Sequence, residues 1–465
     1  MMSIKSVALL NAWVLVVAAS SLAADWPQWR GPFFNGATDE QDVPASWSQT
    51  EGIAWVCPLP GPSGATPVIS KGRVFVTSTV KGTGDFVAIC LDAKTGKPLW
   101  QKTVGSDSRR YPRNSLASPS PVADGNSVFF LYGEGTLVGF DYEGNQLWSR
   151  GIEKEFGNLA LQFGYSSSPL LYDGKLFITV IRRDTPYRDP PASAPLDSFL
   201  LALDPATGRD LWRHIRKTNT FDEGMETYST PVPLVRDGKA ELLLTGGDFV
   251  TAHDPATGQE LWRFEYWRDK VRDSRIIPSL ATGEGLVFGT RHKHNGVFAL
   301  EPPASWRGRP ALASQGHPGP ASSDPNASVA PQEQGQDALA TGKILWEFDE
   351  AAPDCSTPLY YDGRLYVFDG LRRKTVTCLD PRTGKTFWQG RIGGRDPWWS
   401  SPTAAGGKLY IISEAGEIVI LQAGGDEFKI LFQTQIAEPD IQSSIAISGG
   451  RLFIRTAQNL YCVGK

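Results

Sequence analysis

The sequence has few of the residues on which reactive centres are most often built. Its 465 residues include five histidines, five cysteines and three methionines. No two cysteines are adjacent, and the chain contains no CxxCH haem-attachment motif, no GxSxG nucleophile motif and no Gly-rich phosphate-binding motif. These absences exclude a c-type haem protein. They also argue against the motif-bearing classes of serine hydrolases and nucleotide-binding enzymes.

The chain also lacks a strong charge of either sign. It contains 46 Lys and Arg against 50 Asp and Glu, a formal net charge of −4. Affinity for nucleic acid depends on a basic surface that neutralises phosphates, and attraction to anionic membranes depends on the same feature. We therefore expect no nucleic-acid partner.

Long hydrophobic runs are missing except at the N-terminus. There Lys5 precedes an apolar run over residues 7–19, which is followed by small residues ending in SLAA before Asp25. The run is too short for a comfortable membrane span, and the pattern is typical of a signal peptide. The sequence thus predicts a signal peptide over residues 1–24, export to the periplasm or the medium, and no membrane span after cleavage.

The odd number of cysteines prevents complete pairing within one chain. Three of them occupy equivalent positions in the repeats described below, where small buried hydrophobic residues are expected. Cys57 is expected diagonal to Cys462, beyond easy disulfide reach. We predict mostly free and buried thiols at the five positions Cys57, Cys90, Cys355, Cys378 and Cys462.

The chain is rich in a repeated phrase, best seen as LDPATGRDLW over residues 203–212. An Asp, a Gly four residues later and a Trp four beyond that recur at a period of roughly 40 to 50 residues, which indicates repeated supersecondary units. Each phrase predicts a tight hairpin with Trp as a packing residue. The full phrases are Asp92/Gly96/Trp100, Asp204/Gly208/Trp212, Asp254/Gly258/Trp262 and Asp380/Gly384/Trp388, with a shorter form at Asp141/Gly144/Trp148 and a partial one at Gly342 and Trp346.

A second signal marks the start of each unit. Small residues and a proline precede an apolar strand, and a Gly-containing turn follows it, often Asp-Gly. Eight such starts predict eight four-stranded blades. They lie at Pro67, Pro121, Pro169, Pro231, Pro278, Pro358, Pro402 and Ile445.

The two ends of the chain hold complementary parts of one blade. Residues 53–60 resemble the strand that follows each Gly turn, with Trp55 in the place of Trp100, whereas residues 443–464 supply three strands without a fourth. Pairing them closes the ring and removes exposed edges. The predicted fold is therefore all-β, a single eight-bladed β-propeller over residues 25–465 of four-stranded antiparallel blades. A Pro/Ala/Ser-rich insertion at about residues 301–340 is expected to be a disordered surface loop.

These repeats resemble the pyrroloquinoline-quinone-type propeller repeat, which is shared by quinoprotein alcohol dehydrogenases and the outer-membrane assembly factor BamB. The opening DWPQWRGP, the segment NSLASPSPV and the ending RLFIRTAQNLYCVG resemble the exported BamB-like subgroup of bacteria. The dehydrogenases carry adjacent cysteines beside the quinone, and this sequence has none. Their acidic and Asn calcium ligands and their Asp base cannot be assigned to positions here.

The candidate binding site is a ring of polar and aromatic residues just before each inner strand. Loops between blades share one face of a propeller, where ligands of ring folds usually sit. The adjacent Trp398 and Trp399 suit stacking at a channel mouth, although strand alternation would place one of them in the core. For each of these residues the alternative to ligand binding is a structural role, in which the side chain caps a strand or bridges neighbouring blades. The ring comprises Arg113, Asn114, Tyr165, Glu226, Tyr228, Arg275, Asp354, Trp398, Trp399 and Gln442.

Two further groups are candidate sites. Basic clusters such as Arg109-Arg110 and Arg182-Arg183 could bind an acidic ligand, but acids in the same loops roughly cancel them, which favours a solvated mixed-charge surface. His292 and His294 could share one strand face, yet no third ligand stands at a recognisable spacing, so no metal site is predicted. His214 and His253 are interpreted as structural.

The predicted function is a non-catalytic binding or scaffolding module of the cell envelope. Its expected partner is a protein, peptide or glycan, it is expected to be a monomer, and no cofactor is assigned. The alternative is a PQQ-dependent dehydrogenase with the quinone and calcium at the channel mouth over Trp398 or Trp399. A hydrolase or lyase for envelope sugars is a third possibility, for which the sequence shows no paired carboxylates.

Overall fold

The computed structural model describes residues 24–159, 161–187, 196–267, 275–291, 296–304, 341–351, 353–436 and 438–464. Three predictions fall wholly or mainly outside this part of the chain. They concern the signal peptide, most of the insertion at 301–340, and the His292/His294 pair.

The described residues form 32 strands. In chain order these are β1 (Ile53–Pro58), β2 (Val68–Ser70), β3 (Arg73–Thr79), β4 (Asp85–Asp92), β5 (Pro98–Ser106), β6 (Val122–Ala123), β7 (Ser127–Leu131), β8 (Thr136–Asp141), β9 (Gln146–Gly151), β10 (Leu170–Tyr172), β11 (Lys175–Val180), β12 (Phe199–Leu203), β13 (Asp210–Ile215), β14 (Val232–Arg236), β15 (Lys239–Gly246), β16 (Phe249–His253), β17 (Glu260–Glu265), β18 (Ala281–Gly283), β19 (Leu286–Thr290), β20 (Val297–Glu301), β21 (Lys343–Phe348), β22 (Leu359–Tyr361), β23 (Arg364–Asp369), β24 (Thr375–Leu379), β25 (Thr386–Arg391), β26 (Thr403–Ala405), β27 (Lys408–Ile412), β28 (Glu417–Gln422), β29 (Ile430–Gln435), β30 (Ala446–Ser448), β31 (Arg451–Arg455) and β32 (Asn459–Val463).

These strands form eight antiparallel sheets of four strands, which confirms the predicted eight-bladed propeller. Blades 1 to 7 take four consecutive strands each, from β2–β5 to β26–β29, and blade 8 has the order β1, β32, β31, β30. The buried aliphatic and aromatic side chains lie mainly between neighbouring blades, so the core is a set of layers around the ring.

Blade 8 closes the ring as predicted from the two chain ends. Trp55 of β1 is paired with Cys462 of β32, and Val56 with Tyr461. Cys57 lies opposite Leu460, so it is diagonal to Cys462. All five cysteines are free, and all except the half-buried Cys355 are buried.

A ring of side-chain hydroxyl groups joins the inner strands of all eight blades. Each Ser or Thr hydroxyl accepts a hydrogen bond from the backbone N–H of the equivalent residue in the preceding blade, at 2.8–3.1 Å. The small-residue signal before each inner strand is therefore explained by this ring. Its members, in order, are Thr66, Ser120, Ser168, Thr230, Ser279, Thr357, Ser401 and Ser444.

The repeated Gly and Trp act across neighbouring blades. The Trp of one blade packs on the turn glycine of the next, so that a Cβ on that glycine would lie 2.4–2.8 Å from the ring. These glycines also have φ of +70° to +84°, a backbone conformation that favours glycine independently of the Trp contact. The Trp/Gly pairs are Trp55/Gly96, Trp100/Gly144, Trp148/Gly208, Trp212/Gly258 and Trp346/Gly384.

Helix is scarce in the described residues, as expected. One short α-helix, α1, spans Ile152–Phe156, and a single 3-10 helix spans Asp222–Met225. Within the described ranges, neither helix has the length and apolar character that crossing a membrane would require.

The N-terminal segment, residues 24–44, closes one end of the central channel of the propeller. It lies on the face where a hairpin joins the first and second strands of each blade. It contacts blade 1 through a bridge between Trp26 and Ile69, and blade 7 through a bridge between Ala37 and Ala404. Between these points it crosses the channel and presents Trp29 toward the opposite face. The channel is therefore blocked at one end.

Candidate functional site

A cavity of about 450 Å³, here called the cup, lies at the open end of the channel. It is lined by residues from all eight blades, such as Gly64 of blade 1 and Ser444 of blade 8, and by Trp29 of the N-terminal segment. Apart from Trp29 and Leu371, which lies in the loop between β23 and β24, the lining residues come from the connections that lead into the inner strands. The cup is thus a single concave site built by the whole ring, in the place where propeller ligands are expected.

The structure brings seven of the ten predicted residues to the cup. Each of them precedes an inner strand, where the connecting chain turns into the channel. They are Arg113, Asn114, Tyr228, Arg275, Asp354, Trp399 and Gln442. The three that do not line the cup are Tyr165, Glu226 and Trp398.

The side chains of Tyr165 and Trp398 belong to the core. The Tyr165 hydroxyl donates to the Thr179 carbonyl at 2.7 Å, and its ring is buried among apolar side chains. Trp398 is 2% exposed and packs edge-on against Phe368. Adjacent residues of an extended chain point to opposite sides, so burying Trp398 turns Trp399 toward the cup.

Glu226 lies directly behind the cup wall. Its Oε2 accepts from the Tyr228 hydroxyl at 2.8 Å, and its other oxygen pairs with Arg183. Burial raises the pKa of this carboxyl, although the Arg183 charge and the Tyr228 hydrogen bond act in the opposite direction. Glu226 therefore fixes Tyr228, which does line the cup, rather than meeting a ligand itself.

Two arginine side chains stack on aromatic rings of the cup. Arg113 lies 5.6 Å from the ring centre of Trp399, and Arg275 lies 4.6 Å from that of Phe163. Arg275 also pairs with Glu223. Arg113 is exposed and makes no ion pair within the described residues, so its charge is available at the rim. The indole N–H of Trp399 donates to Glu414 at 2.9 Å, which holds the ring in place.

Cys355 is the one cysteine that lines the cup. Burial raises its pKa, the neighbouring Asp354 carboxylate raises it further, and the Arg275 charge opposes both. The Cys355 thiol is therefore protonated at neutral pH, and a thiol is a poor nucleophile compared with a thiolate.

Several lining residues were missed by the sequence reasoning. Trp29 forms the floor, Phe163 forms part of the wall, and hydroxyls of the inner ring such as Ser120 and Ser168 also reach the cup. The hydroxyls were visible in the sequence as the small residues before each proline. Nothing local in the sequence shows that Trp29 crosses to the channel.

The quinone and calcium implied by the sequence resemblance fit this lining poorly. Calcium takes six to eight oxygen ligands, commonly several carboxylates. Among the described residues of the cup, Asp354 supplies the sole carboxylate, and it lies with two arginines rather than with other acids. The amide nitrogens of Asn114 and Gln442 donate to main-chain carbonyls at 3.0 and 2.6 Å, so their oxygens add two neutral ligands at most to the single carboxylate. The arginines could meet an anionic ligand, but the oxygen set for its calcium is not formed.

A separate polar cluster lies between blades 3 and 4. His214, His253 and Glu260 place one potential ligand atom each within 4.8 Å of the others. Both nitrogens of His253 have partners, the Gly258 carbonyl at 3.3 Å and the Thr251 hydroxyl at 3.1 Å. Both oxygens of Glu260 accept from Arg263. These atoms are engaged with the protein, which agrees with the structural interpretation of the two histidines.

The fold and the cup together define the class: an eight-bladed propeller of PQQ-type repeats with one blind site at its channel mouth. The chain belongs to the family described as "Outer membrane protein assembly factor BamB", whose model matches residues 33–183, 197–301 and 246–463. The resemblance drawn from the repeats is thereby confirmed.

Curated relatives are distant and longer. Polyvinylalcohol dehydrogenase of Pseudomonas sp is 24% identical over 360 residues, which cover 73% of this chain and 46% of that protein. Polyvinylalcohol dehydrogenase of Sphingopyxis sp. (strain 113P3) is 28% identical over 200 residues, 41% of this chain and 28% of that protein. Tetrathionate hydrolase of Acidithiobacillus ferrooxidans is 24% identical over 332 residues, 69% and 52% respectively. The chain thus spans about half, or less, of the length of these relatives.

Solved structures of two kinds of protein resemble this fold. BamB from Moraxella catarrhalis superposes with a TM-score of 0.57 at 12% identity, covering 89% of this chain and 99% of that one. Quinohemoprotein alcohol dehydrogenase from Comamonas testosteroni gives 0.60 at 12% identity, covering 94% and 80%. At such identity the likeness concerns the fold alone.

Proposed function

We propose that this protein is an exported, non-catalytic binding module of the cell envelope that engages a protein, peptide or glycan partner at the cup. The observation that carries the proposal is the blind cup itself, with the exposed Arg113 guanidinium stacked on Trp399 at its rim. Arginine and tryptophan are the residues that most often dominate binding energy at interfaces.

The chemistry of the other lining groups supports binding over catalysis. The cup thiol is protonated, and the described lining offers one carboxylate, whereas general acid–base hydrolysis of sugars uses two. The family description supports an envelope role, and the N-terminal sequence pattern supports export.

A capture experiment that compares the wild type with variants of the cup tests this function. Immobilised full-length protein is incubated with envelope extract, and the captured partner is then purified and titrated. We expect Arg113→Glu and Trp399→Ala each to weaken the affinity at least tenfold. Arg391→Glu, a reversal of an exposed arginine on β25 outside the cup, should leave it unchanged. Equal affinity of all variants would remove the cup from the proposal.

The quinone-dependent dehydrogenase is the second candidate, because two of the curated relatives are named polyvinylalcohol dehydrogenase and two arginines face the cup. Equilibrium dialysis against pyrroloquinoline quinone with calcium separates it from the first. We expect no uptake at micromolar quinone. Stoichiometric uptake together with dye reduction in the presence of an alcohol would place the dehydrogenase first.

A further inference from the structure

A second cavity opens into the cup on the same face. This groove, of about 830 Å³, runs over blades 8 and 1 between two inter-blade connections, residues 58–63 and 107–116. The loop after β3, residues 79–84, and the turn at 457–459 complete its walls. Arg113, Asn114 and Gln442 line both cavities, so groove and cup are continuous at these three residues.

The groove carries three basic side chains for which the described residues hold no ion-pair partner. Lys81, Arg110 and Arg113 are exposed and make no ion pair in the described part of the chain. The Arg110 guanidinium donates to the carbonyls of Ser108 and Arg109, at 3.1 and 3.0 Å, and its charge acts on Asp107 without forming an ion pair.

One acid of the groove is paired with a cation, and the other two keep their charge. Asp107 is bound by Arg109 at 2.8 Å, and the Glu414 carboxylate accepts the Trp399 indole N–H. Asp440 is the one groove acid outside such contacts in the described residues. The groove lining holds four cations, Lys81, Arg109, Arg110 and Arg113, against three acids, Asp107, Glu414 and Asp440, so it is positive by one charge although the whole chain is slightly negative. Such a local field favours an acidic partner.

We propose that the groove binds an acidic segment of a partner polypeptide in extended conformation, with one end of that segment at the cup. The inference rests on the proposed binding function and adds the chemical class of the partner. The groove is open at the rim and leads inward to Arg113, so an extended chain can follow it without crossing a blade. Carboxylate side chains along that chain would meet Arg110, Lys81 and Arg113.

The aromatic content of the groove favours a peptide over an acidic glycan. Sugar rings are commonly held by stacking on an exposed aromatic face. Among the described lining residues of the groove, Tyr111 supplies the aromatic ring, and this half-buried ring packs on Gly164, whose added Cβ would lie 2.8 Å away. Beyond it, the Trp399 ring at the cup is covered by Arg113. The described part of the groove offers cations but no free aromatic face. It therefore suits the carboxylates of a flexible peptide better than it suits sugar rings.

Fluorescence anisotropy with a labelled octaglutamate peptide as the probe tests the inference on the full-length protein. We expect binding with a micromolar dissociation constant, and none with octaglutamine or octalysine. Lys81→Glu with Arg110→Glu should raise the dissociation constant at least tenfold. The matched control, Lys97→Glu with Lys429→Glu, makes the same charge change at exposed lysines away from the groove and should change it less than twofold. Thermal melting checks that both double variants fold.

Each contrary outcome has a distinct meaning. Absence of octaglutamate binding, or equal weakening by the groove and control variants, would overturn the groove inference. A polyuronate that displaces the probe more strongly than unlabelled octaglutamate at equal charge would overturn the choice of a peptide. Failure of the binding function itself would be seen separately, as envelope capture that is insensitive to Arg113→Glu and Trp399→Ala.

Discussion

At the residue scale, buried arginines show how single side chains hold distant segments together. Arg30 is 4% exposed and donates to the carbonyls of Asn35 and Pro402 at 2.7 and 3.0 Å. Burial lowers its pKa to about 9, so the guanidinium remains charged at neutral pH. Main-chain carbonyls, rather than a carboxylate, satisfy the charge. Because Pro402 belongs to blade 7, this one side chain fixes the N-terminal segment across the channel.

His253 predicts a specific loss of stability in acid. Burial, followed by the nearby His214, lowers its pKa to about 3 from an ordinary 6.5. Between these two values the unfolded chain binds a proton that the folded chain excludes, so stability falls as the pH falls through the window. From pH 6.5 to 5.0 the expected contribution is about 2 kcal/mol.

Urea unfolding of the wild type and of His253→Gln at these two pH values measures that contribution. The variant should lose less stability on acidification than the wild type by roughly this amount. Above pH 4.5 the neighbouring Glu260, whose burial is outweighed by its bonds to His214 and Arg263 so that its pKa falls to about 2, adds little. Parallel losses in the two proteins would show that the pKa of His253 is the same in the folded and the unfolded chain.

Gly208 predicts how much the Trp/Gly contact between blades contributes. Its φ is +70°, and a Cβ there would lie 2.6 Å from the Trp148 ring. Gly174 has a similar φ of +67° with nothing within 4 Å, which makes it a matched control. Gly174→Ala should cost about 1 kcal/mol of unfolding free energy from backbone conformation. Gly208→Ala should cost roughly 2–4 kcal/mol, because the ring must also move.

The readouts are chemical denaturation and the tryptophan emission of the two variants. A shift in emission for Gly208→Ala but not for Gly174→Ala would identify the displaced ring. Equal costs at the two positions would mean that the packing against Trp148 contributes nothing beyond the conformational term.

At the element scale, the inner strands are linked by hydroxyl groups as well as by apolar packing. Thr230 N–H donates to the Ser279 hydroxyl at 2.8 Å, and Ser279 N–H donates to the Thr357 hydroxyl at 3.0 Å. A buried N–H left without a partner costs about 1–3 kcal/mol. Each hydroxyl therefore serves as the connection between two neighbouring blades.

Ser279→Ala is predicted to lower the unfolding free energy by about 1–3 kcal/mol, since it orphans the Thr230 N–H. Ser149→Ala, at an exposed position on β9, is the control and should change it by less than 0.5 kcal/mol, in the range of about ±0.5 kcal/mol usual for surface changes. Denaturation curves for the two variants decide the point. A neutral Ser279→Ala would show that water or a shifted strand replaces the hydroxyl.

The sequence carried most of this element-level information. The small residues that supply the hydroxyls recur before nearly every inner strand, and the Gly and Trp of the five contacts recur along the chain, so repetition made these residues visible in the sequence. The pairing of Trp55 with Cys462 was also predictable, because two incomplete blades at the chain ends complement each other. The sequence did not show which of Trp398 and Trp399 faces the cup. Strand alternation predicts only that the two side chains point to opposite sides.

At the scale of the whole molecule, the binding surfaces arise from contacts between residues far apart in the chain. Trp29 reaches the floor of the cup, and Arg113 of blade 2 stacks on Trp399 of blade 7. The groove forms where two inter-blade connections run side by side. No local sequence pattern predicts these long-range contacts. The sequence therefore placed seven residues at the cup but predicted neither the floor of the cup nor the groove.

The most direct test of the cup as the binding site is hydrogen–deuterium exchange of the full-length protein with and without its captured partner. We predict slower exchange on binding at the rim, in residues 113–118, 397–401 and 440–444, and unchanged exchange at the opposite-face hairpins over residues 92–98 and 204–210. Protection confined to those hairpins, with the rim unaffected, would contradict the account.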